Sequence, residues 1–408
     1  MEKKRNIPVL RFSEYTGEWE IKKLGETTKQ MQSGVSRKLS DIDIGLPILR
    51  SNNIQNGKLD VKDIKYWYLI DDQGVNLENY HLKNNDILVN FINSLAQIGK
   101  AALFENLLKR DTIFTTNLLR ISFKDEVNTR FILYNFNLKN YKDYIQSITK
   151  PAVNQASFTT KEFQNYLLAL PSLPEQTKIV AFLITVDERL TQLERKKNLL
   201  EQYKKGMLQK IFDQEIRFND DKDNEFPDWE ERNGNDIFGN ISDKNHNSDL
   251  QILAITQEHG AIPRDLINFN ISVMDKSVDS YKVVHIGDFI ISLRSFQGGI
   301  EYSNYKGICS PAYIILRSKV EIDKRFYKFY FKTESYIKLL NLKLEGIRDG
   351  KMISYKYFSD ILLPFPCLAE QTKIASFISA IDEKINCCTN QISKTEQYKK
   401  GLLQQMFV

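Results

Sequence analysis

The side chains able to do covalent or metal chemistry are few and poorly placed for it. Cys309, Cys367, Cys387 and Cys388 form no CxxC pair, and His81, His246, His259 and His285 are scattered among residues that do not ligate metals. Zinc needs Cys and His at short, fixed spacings, so no metal site is expected. Asp228 and Glu230 flank Trp229, but two neighbouring acids beside an acidic stretch read as solvated charges. There is no phosphate-cradling GxxxxGK[ST] loop, which argues against a motor. Neither a Gly-rich cofactor loop after a strand nor the Pro-Pro-aromatic motif of an adenine-modifying enzyme is present. No reactive constellation is complete, and the chain is expected to be non-catalytic.

Recognition chemistry remains. One set of polar loops carries Ser36, Arg37, Lys38, Arg50, Asn52, Asn53, Asn93, Gln97 and Lys100, and a second carries Gln257, Arg264, Arg294, Ser295, Gln297, Arg348 and Lys351. Arg, Asn, Gln and Lys read base edges in a major groove, while Ser and Lys commonly hold phosphates. The net charge is +5, yet residues 213–228 hold seven acids against two bases, which leaves +10 on the rest of the chain. That excess suits a polyanionic partner. These sixteen residues form the expected DNA-binding set.

The loops need a frame, and the chain states its frame twice. Pro171 to Phe212 returns as Pro366 to Phe407, without a gap and at a constant offset of 195 residues, with 19 of 42 positions identical. The identities cluster at the two ends: EQTKI, a Phe and Asp-Glu in front, EQYKKG and Leu-Gln behind. A period this long indicates two similar halves, not a solenoid.

Each copy begins at prolines and places Glu-Gln in the first helical turn, where negative charge suits the helix dipole. Apolar residues then alternate at spacings of four and three. The first seam runs through Ile179, Leu183, Val186, Leu190 and Leu193, and the second through Ile374, Ile378, Ile381, Ile385 and Ile392. A sustained seven-residue repeat is a coiled-coil seam, so each copy requires a partner helix. Lys197, Lys204, Thr395 and Lys399 interrupt the seams towards their ends. Antiparallel pairing sets each weak C-terminal half against the other copy's strong N-terminal half. A helix of about 38 residues would span roughly 57 Å, a rod holding two domains a fixed distance apart.

The expected organisation is α+β: two similar mixed α/β domains and two long helices in an antiparallel coiled coil. The first domain occupies 1–170, its helix 171–212, an acidic linker 213–228, the second domain 229–365 and its helix 366–408. Trp19 and Trp229, each in a "WE", are expected to anchor the chain against a helix end. LPILRSNNI (46–54) and LQILAITQE (250–258) read as strands, with Asn56-Gly57 as a turn. TRFILYNFNLKNYKDYIQSI and KRFYKFYFKTESYIKLLNLK read as helical stretches. No run of about 18 apolar residues is present and the N-terminus is too charged for a signal peptide, so a cytoplasmic protein is expected.

The repeated EQTKI…F…DE…EQYKKG blocks, with PSLPEQTKI and PCLAEQTKI at the helix starts, resemble the specificity subunits of Type I restriction-modification enzymes. IGKAALF and GDFIISLRSFQGG are similar to that family's GD-strand-Gly pattern, although the second half lacks the Arg and Asn of LRSNNI. The resemblance implies two target recognition domains, each reading one half of an interrupted site on double-stranded DNA. It also implies two methyltransferase subunits along the helices and endonuclease/translocase subunits in the full enzyme. S-adenosylmethionine, ATP and Mg would belong to those partners, and this subunit would hold no cofactor. Two other readings stay open: a coiled-coil scaffold that does not bind DNA, and the recognition part of a self-contained restriction enzyme.

Overall fold

The computed structural model describes residues 6–55, 57–153, 155–246, 249–267, 275–342 and 353–408. The chain divides into two compact units, one formed by Met1–Leu193 with Gln391–Val408 and the other by Glu194–Asn390. Neither boundary falls in a loop. Each cuts through a long helix, Leu173–Phe212 or Leu368–Met406, so each unit owns the start of one helix and the end of the other.

In the first unit Glu20–Lys23 pairs antiparallel with Leu167–Leu170, which delivers the chain to its long helix. A four-stranded antiparallel sheet follows in the order Thr28–Ser33, Leu118–Phe123, Ile87–Asn90, Ala101–Leu103. The second unit repeats both features. Glu230–Asn233 pairs with Leu362–Phe365, and the sheet order is Phe238–Ile241, Ile314–Ser318, Phe289–Ile291, Glu301–Tyr302. The residue before the buried Asp of each "D-apolar" strand has left-handed backbone, with φ of 71° at Asn85 and 90° at Gly287. Asn and Gly are the residue types that tolerate it.

The frames agree while the smaller sheets do not. Ile113–Phe114, Gly45–Leu49 and Lys65–Tyr68 form one three-stranded sheet in the first unit. The second unit has two separate pairs, Leu253–Thr256 with Gly260–Pro263 and Lys282–Val284 with Gly307–Cys309. Asn56 of the expected turn lies outside the described residues, and its neighbour Gly57 has φ of 75°.

Each stretch read as helical is two short helices. Thr129–Asn135 and Lys139–Ile148 are separated by a break at Phe136, and Lys324–Tyr330 and Glu334–Leu342 by one at Phe331. The break lets an extra aromatic ring enter the core: Phe136 stacks on Tyr141 at 4.3 Å, and Phe331 lies 4.8 Å from Tyr336. Asn128 and Asp323 cap the first helix of each pair.

The Glu-Gln pair at each long-helix start does more than complement a dipole. Arg11 donates through Nε and Nη2 to the two carboxylate oxygens of Glu175, at 2.7 and 2.8 Å, and Arg217 does the same to Glu370 at 3.2 and 2.9 Å. Gln176 accepts from the Asn128 N–H and donates to the Pro171 carbonyl, and Gln371 repeats this with Asp323 and Pro366. Trp19 is buried and donates to Glu175 at 3.2 Å; the Trp229 indole N–H is buried without a hydrogen-bond partner.

The acidic stretch is anchored at named points. Residues 213–228 expose every acid but the half-buried Asp220, and Arg217 and Phe218 are anchored as Arg11 and Phe12 are: Phe218 lies 5.3 Å from Phe377 and Phe12 lies 6.1 Å from Phe182. Asp220 accepts from the N–H groups of Lys222 and Asn224, closing an ordered turn. Arg217, Phe218 and Asp220 carry the order.

The seam residues face inward. Ile179, Leu183, Val186, Leu193, Ile374, Ile378 and Ile381 are buried, and Leu190, Ile385 and Ile392 are half-buried. Within the first unit Ile179, Leu183 and Val186 share a core with Leu402, Met406 and Phe407. Within the second, Ile374, Ile378 and Ile381 share one with Met207, Ile211 and Phe212. The helix segments in each unit therefore run antiparallel, start against end. Phe407 lies against Trp19 and Phe131, and Phe212 against Trp229 and Phe326, so each copy's last Phe completes the aromatic cluster at the other copy's start.

Candidate nucleic-acid interface

The expected contact residues sort by what they already hold. Arg37 donates to both carboxylate oxygens of Asp71, at 2.6 and 2.7 Å, and the two side chains are 9% and 0% exposed. The guanidinium, with a further hydrogen bond from the Val75 N–H, holds the Asp71 carboxyl well below the usual carboxylate range. Asn53 is buried; its Oδ1 accepts from the Arg50 N–H and its Nδ2 donates to the carbonyls of Asp60 and Asp63. Both residues shape the loops from within.

Arg50 is pinned at one end only. Its Nη2 donates to Asp63 Oδ2 at 2.7 Å, and its Nε is buried with no partner. Ser36 and Asn52 are exposed. With Arg37 and Arg50 they line a polar cleft of about 370 Å³, completed by Thr115, Thr116 and Asn117. Sequence reasoning missed those three; the available signal was a polar Thr-Thr-Asn run set between two apolar strands.

The cleft is built from three chain segments locked by backbone hydrogen bonds. The Val35 N–H donates to the Phe114 carbonyl, the Thr116 N–H to the Val35 carbonyl and the Thr115 N–H to the Leu49 carbonyl, at 2.9, 3.2 and 2.9 Å. Gly34 makes this approach possible, because a Cβ there would sit 1.9 Å from the Phe114 oxygen. Lys38 is exposed beyond the cleft lining.

Asn93, Gln97 and Lys100 belong to a different loop. The Asn93 side chain accepts from the Ser94 N–H, and Lys100 borders a largely apolar cavity of about 650 Å³ with Tyr141 and Ile145. A second polar cavity, about 820 Å³, contains Lys29, Lys83 and Arg120, none of them expected. Arg120 is 4% exposed and donates to Gln32 and to the carbonyls of His81 and Asn79, which makes it a buried brace.

In the second unit Arg294 and Gln297 are exposed on one turn, and Gln257 donates to the Arg294 carbonyl at 3.1 Å, bringing two loops together. Arg264 opens the short turn Arg264–Leu266 and has a buried Nε without a partner. Ser295 is fully buried, and its hydroxyl accepts from the Ser292 N–H, so it serves the turn and does not face solvent. Arg348 and Lys351 lie outside the described residues. No group of three potential metal ligands occurs among the described residues, and no helix there is long and apolar enough to cross a membrane.

Residues 16–202 and again 227–397 match the Type I restriction modification DNA specificity domain. The chain belongs to this family. Its two family matches coincide with the two sheet-bearing frames, and both run into the long helices. The chain is 28% identical to a putative type I restriction enzyme MjaX specificity subunit of Methanocaldococcus jannaschii, covering 98% of this chain and 95% of that one. It is 25% identical to the type I restriction enzyme MjaVIII specificity subunit of the same organism, over 79% and 80% of the two chains. The fold is shared with the crystal structure of a Type I restriction-modification S subunit from M. genitalium, at a TM-score of 0.58, 14% identity and coverage of 98% and 99%.

Proposed function

We infer that this chain is the DNA-recognition subunit of a Type I restriction-modification complex. It reads an interrupted, two-part site on double-stranded DNA, one half with each specificity domain. Methyltransferase subunits assemble along its long helices, and restriction subunits complete the enzyme. The chain itself performs no catalysis; S-adenosylmethionine, ATP and Mg belong to the partners. Two specificity domains on one chain, with matched frames and unmatched polar loops, carry this reading. Arg50, Asn52, Ser36, Lys38, Gln97 and Lys100 on one side, with Arg264, Arg294, Gln297 and Gln257 on the other, are the groups available to DNA.

Sequencing methylated adenines in host genomes with and without the gene tests this directly, and loss of one two-part motif is the expected result. Exchanging residues 20–165 for the first domain of another family member should change one half of that motif only. Binding should also weaken steeply with salt, since displaced counterions accompany each phosphate contact. A helix scaffold that does not touch DNA would leave the methylome unchanged.

A further inference from the structure

Polar side chains around the 370 Å³ cleft divide by whether their hydrogen-bonding groups are already used. Those of Arg37 and Asn53 are committed to Asp71, Asp60 and Asp63. The side chains of Ser36, Asn52, Thr115, Thr116 and Asn117 hydrogen-bond to no described residue, although the last three are half-buried. These amides and hydroxyls stay open to solvent, and gathered around a single concavity they are free to pair with a ligand that supplies the other half. The backbones of Thr115 and Thr116 are meanwhile fixed by their bonds to Leu49 and Val35. A rigid backbone with uncommitted side chains is the arrangement a specific reader requires.

Resting on the DNA-recognition role above, we propose that this cleft determines specificity for the first half-site and reads A·T base pairs in it. Asn52 and Asn117 are the groups for adenine, because an asparagine amide matches the donor and acceptor of its N6 and N7 edge. The threonine methyls of Thr115 and Thr116 suit the 5-methyl of thymine, and Ser36 serves either a base edge or the adjoining phosphate. Arg50 stands at the rim with one end held by Asp63.

The test uses the full chain assembled with its methyltransferase subunits, presented with a duplex library randomised across both half-sites, and the bound fraction is sequenced. Asn52→Ala with Asn117→Ala should keep assembly and non-specific duplex affinity while losing about tenfold or more discrimination at A·T positions of one half only. The single Asn52→Ala variant alters an exposed residue and gives a partial loss even if the double variant folds poorly. An unchanged motif in either variant would overturn the cleft while leaving the general role intact. Relaxation confined to G·C positions would overturn the adenine assignment. A wild-type complex that enriches no motif would remove the recognition role itself, a result distinct from the other two.

Discussion

Asp187 and Lys399 meet at 2.5 Å, and Asp382 and Lys204 repeat the pair at the same distance. Asp187 lies in the front block of the first helix copy and Lys399 in the back block of the second; the other pair reverses the roles. Each front block is thus complementary to the opposite copy's back block. This explains why identity between the copies concentrates at their two ends. Tyr134 donates to Asp187 at 2.7 Å, and Lys399 lies 5.5 Å from the Tyr134 ring centroid, so the pair is part of a small network.

Replacing Asp187 with Asn should cost about 1 kcal/mol or less, since both partners are partly exposed and such pairs are screened. Asp187→Lys should cost more through like-charge repulsion, and adding Lys399→Asp should recover part of the loss. Thermal unfolding of the wild type, Asp187→Lys, Lys399→Asp and the double variant forms the cycle, and absence of recovery would deny the pairing.

Leu183 and Ile378 are fully buried at equivalent positions of the two seams. Leu183→Ala should destabilise by about 2–5 kcal/mol through lost burial and an unfilled cavity. Ile378→Asp buries an unpaired charge and should abolish docking of the helix segments in its unit, with loss of assembly and methylation. Urea unfolding and size-exclusion chromatography measure the two effects.

Asp71 supplies the acid-sensitive bond of the first domain. Its folded value is lowered by Arg37, so the stabilisation is complete above the unfolded carboxylate value of about 3.9 and fades as pH falls towards the folded value. Glu162, held at about 2 by the Thr159 hydroxyl and Lys150, has the same sign. Asp71→Asn should lower stability at pH 7 and flatten its decline as pH falls below about 4, as chemical denaturation across that range would show.

The cysteines should differ in reactivity. Burial pushes the Cys309 thiol up to about 12, and the residue has no exposed surface, whereas Cys387 is exposed. Because the thiolate is the nucleophile, iodoacetamide at pH 8 should label Cys387 in the native protein and Cys309 only after denaturation. Mass spectrometry of the labelled peptides decides it.

Much of the frame was legible because periodicity survives in a linear code. The seams from Ile179 to Leu193 and from Ile374 to Ile392 face inward as their spacing requires. Lys204 and Lys399, legible only as interruptions, turned out to be ion-paired. The site was less legible. Arg37, Asn53 and Ser295 have the residue types of readers, yet they are buried or tied to neighbours, and a residue type does not state where its hydrogen bonds go. Thr115 and Thr116 passed unnoticed because bonds to Leu49 and Val35, more than sixty positions away, bring them to the cleft, and Asn117 follows them in the chain.

The sequence by itself determined that there are two similar halves and that each contributes a long heptad helix, because repeats and periodicity are properties of order along the chain. Only the tertiary structure decided which start packs with which end, which arginines are spent internally and which polar groups are left to meet a ligand. Those outcomes depend on burial and on competition among hydrogen-bond partners, and both are settled between residues distant in sequence.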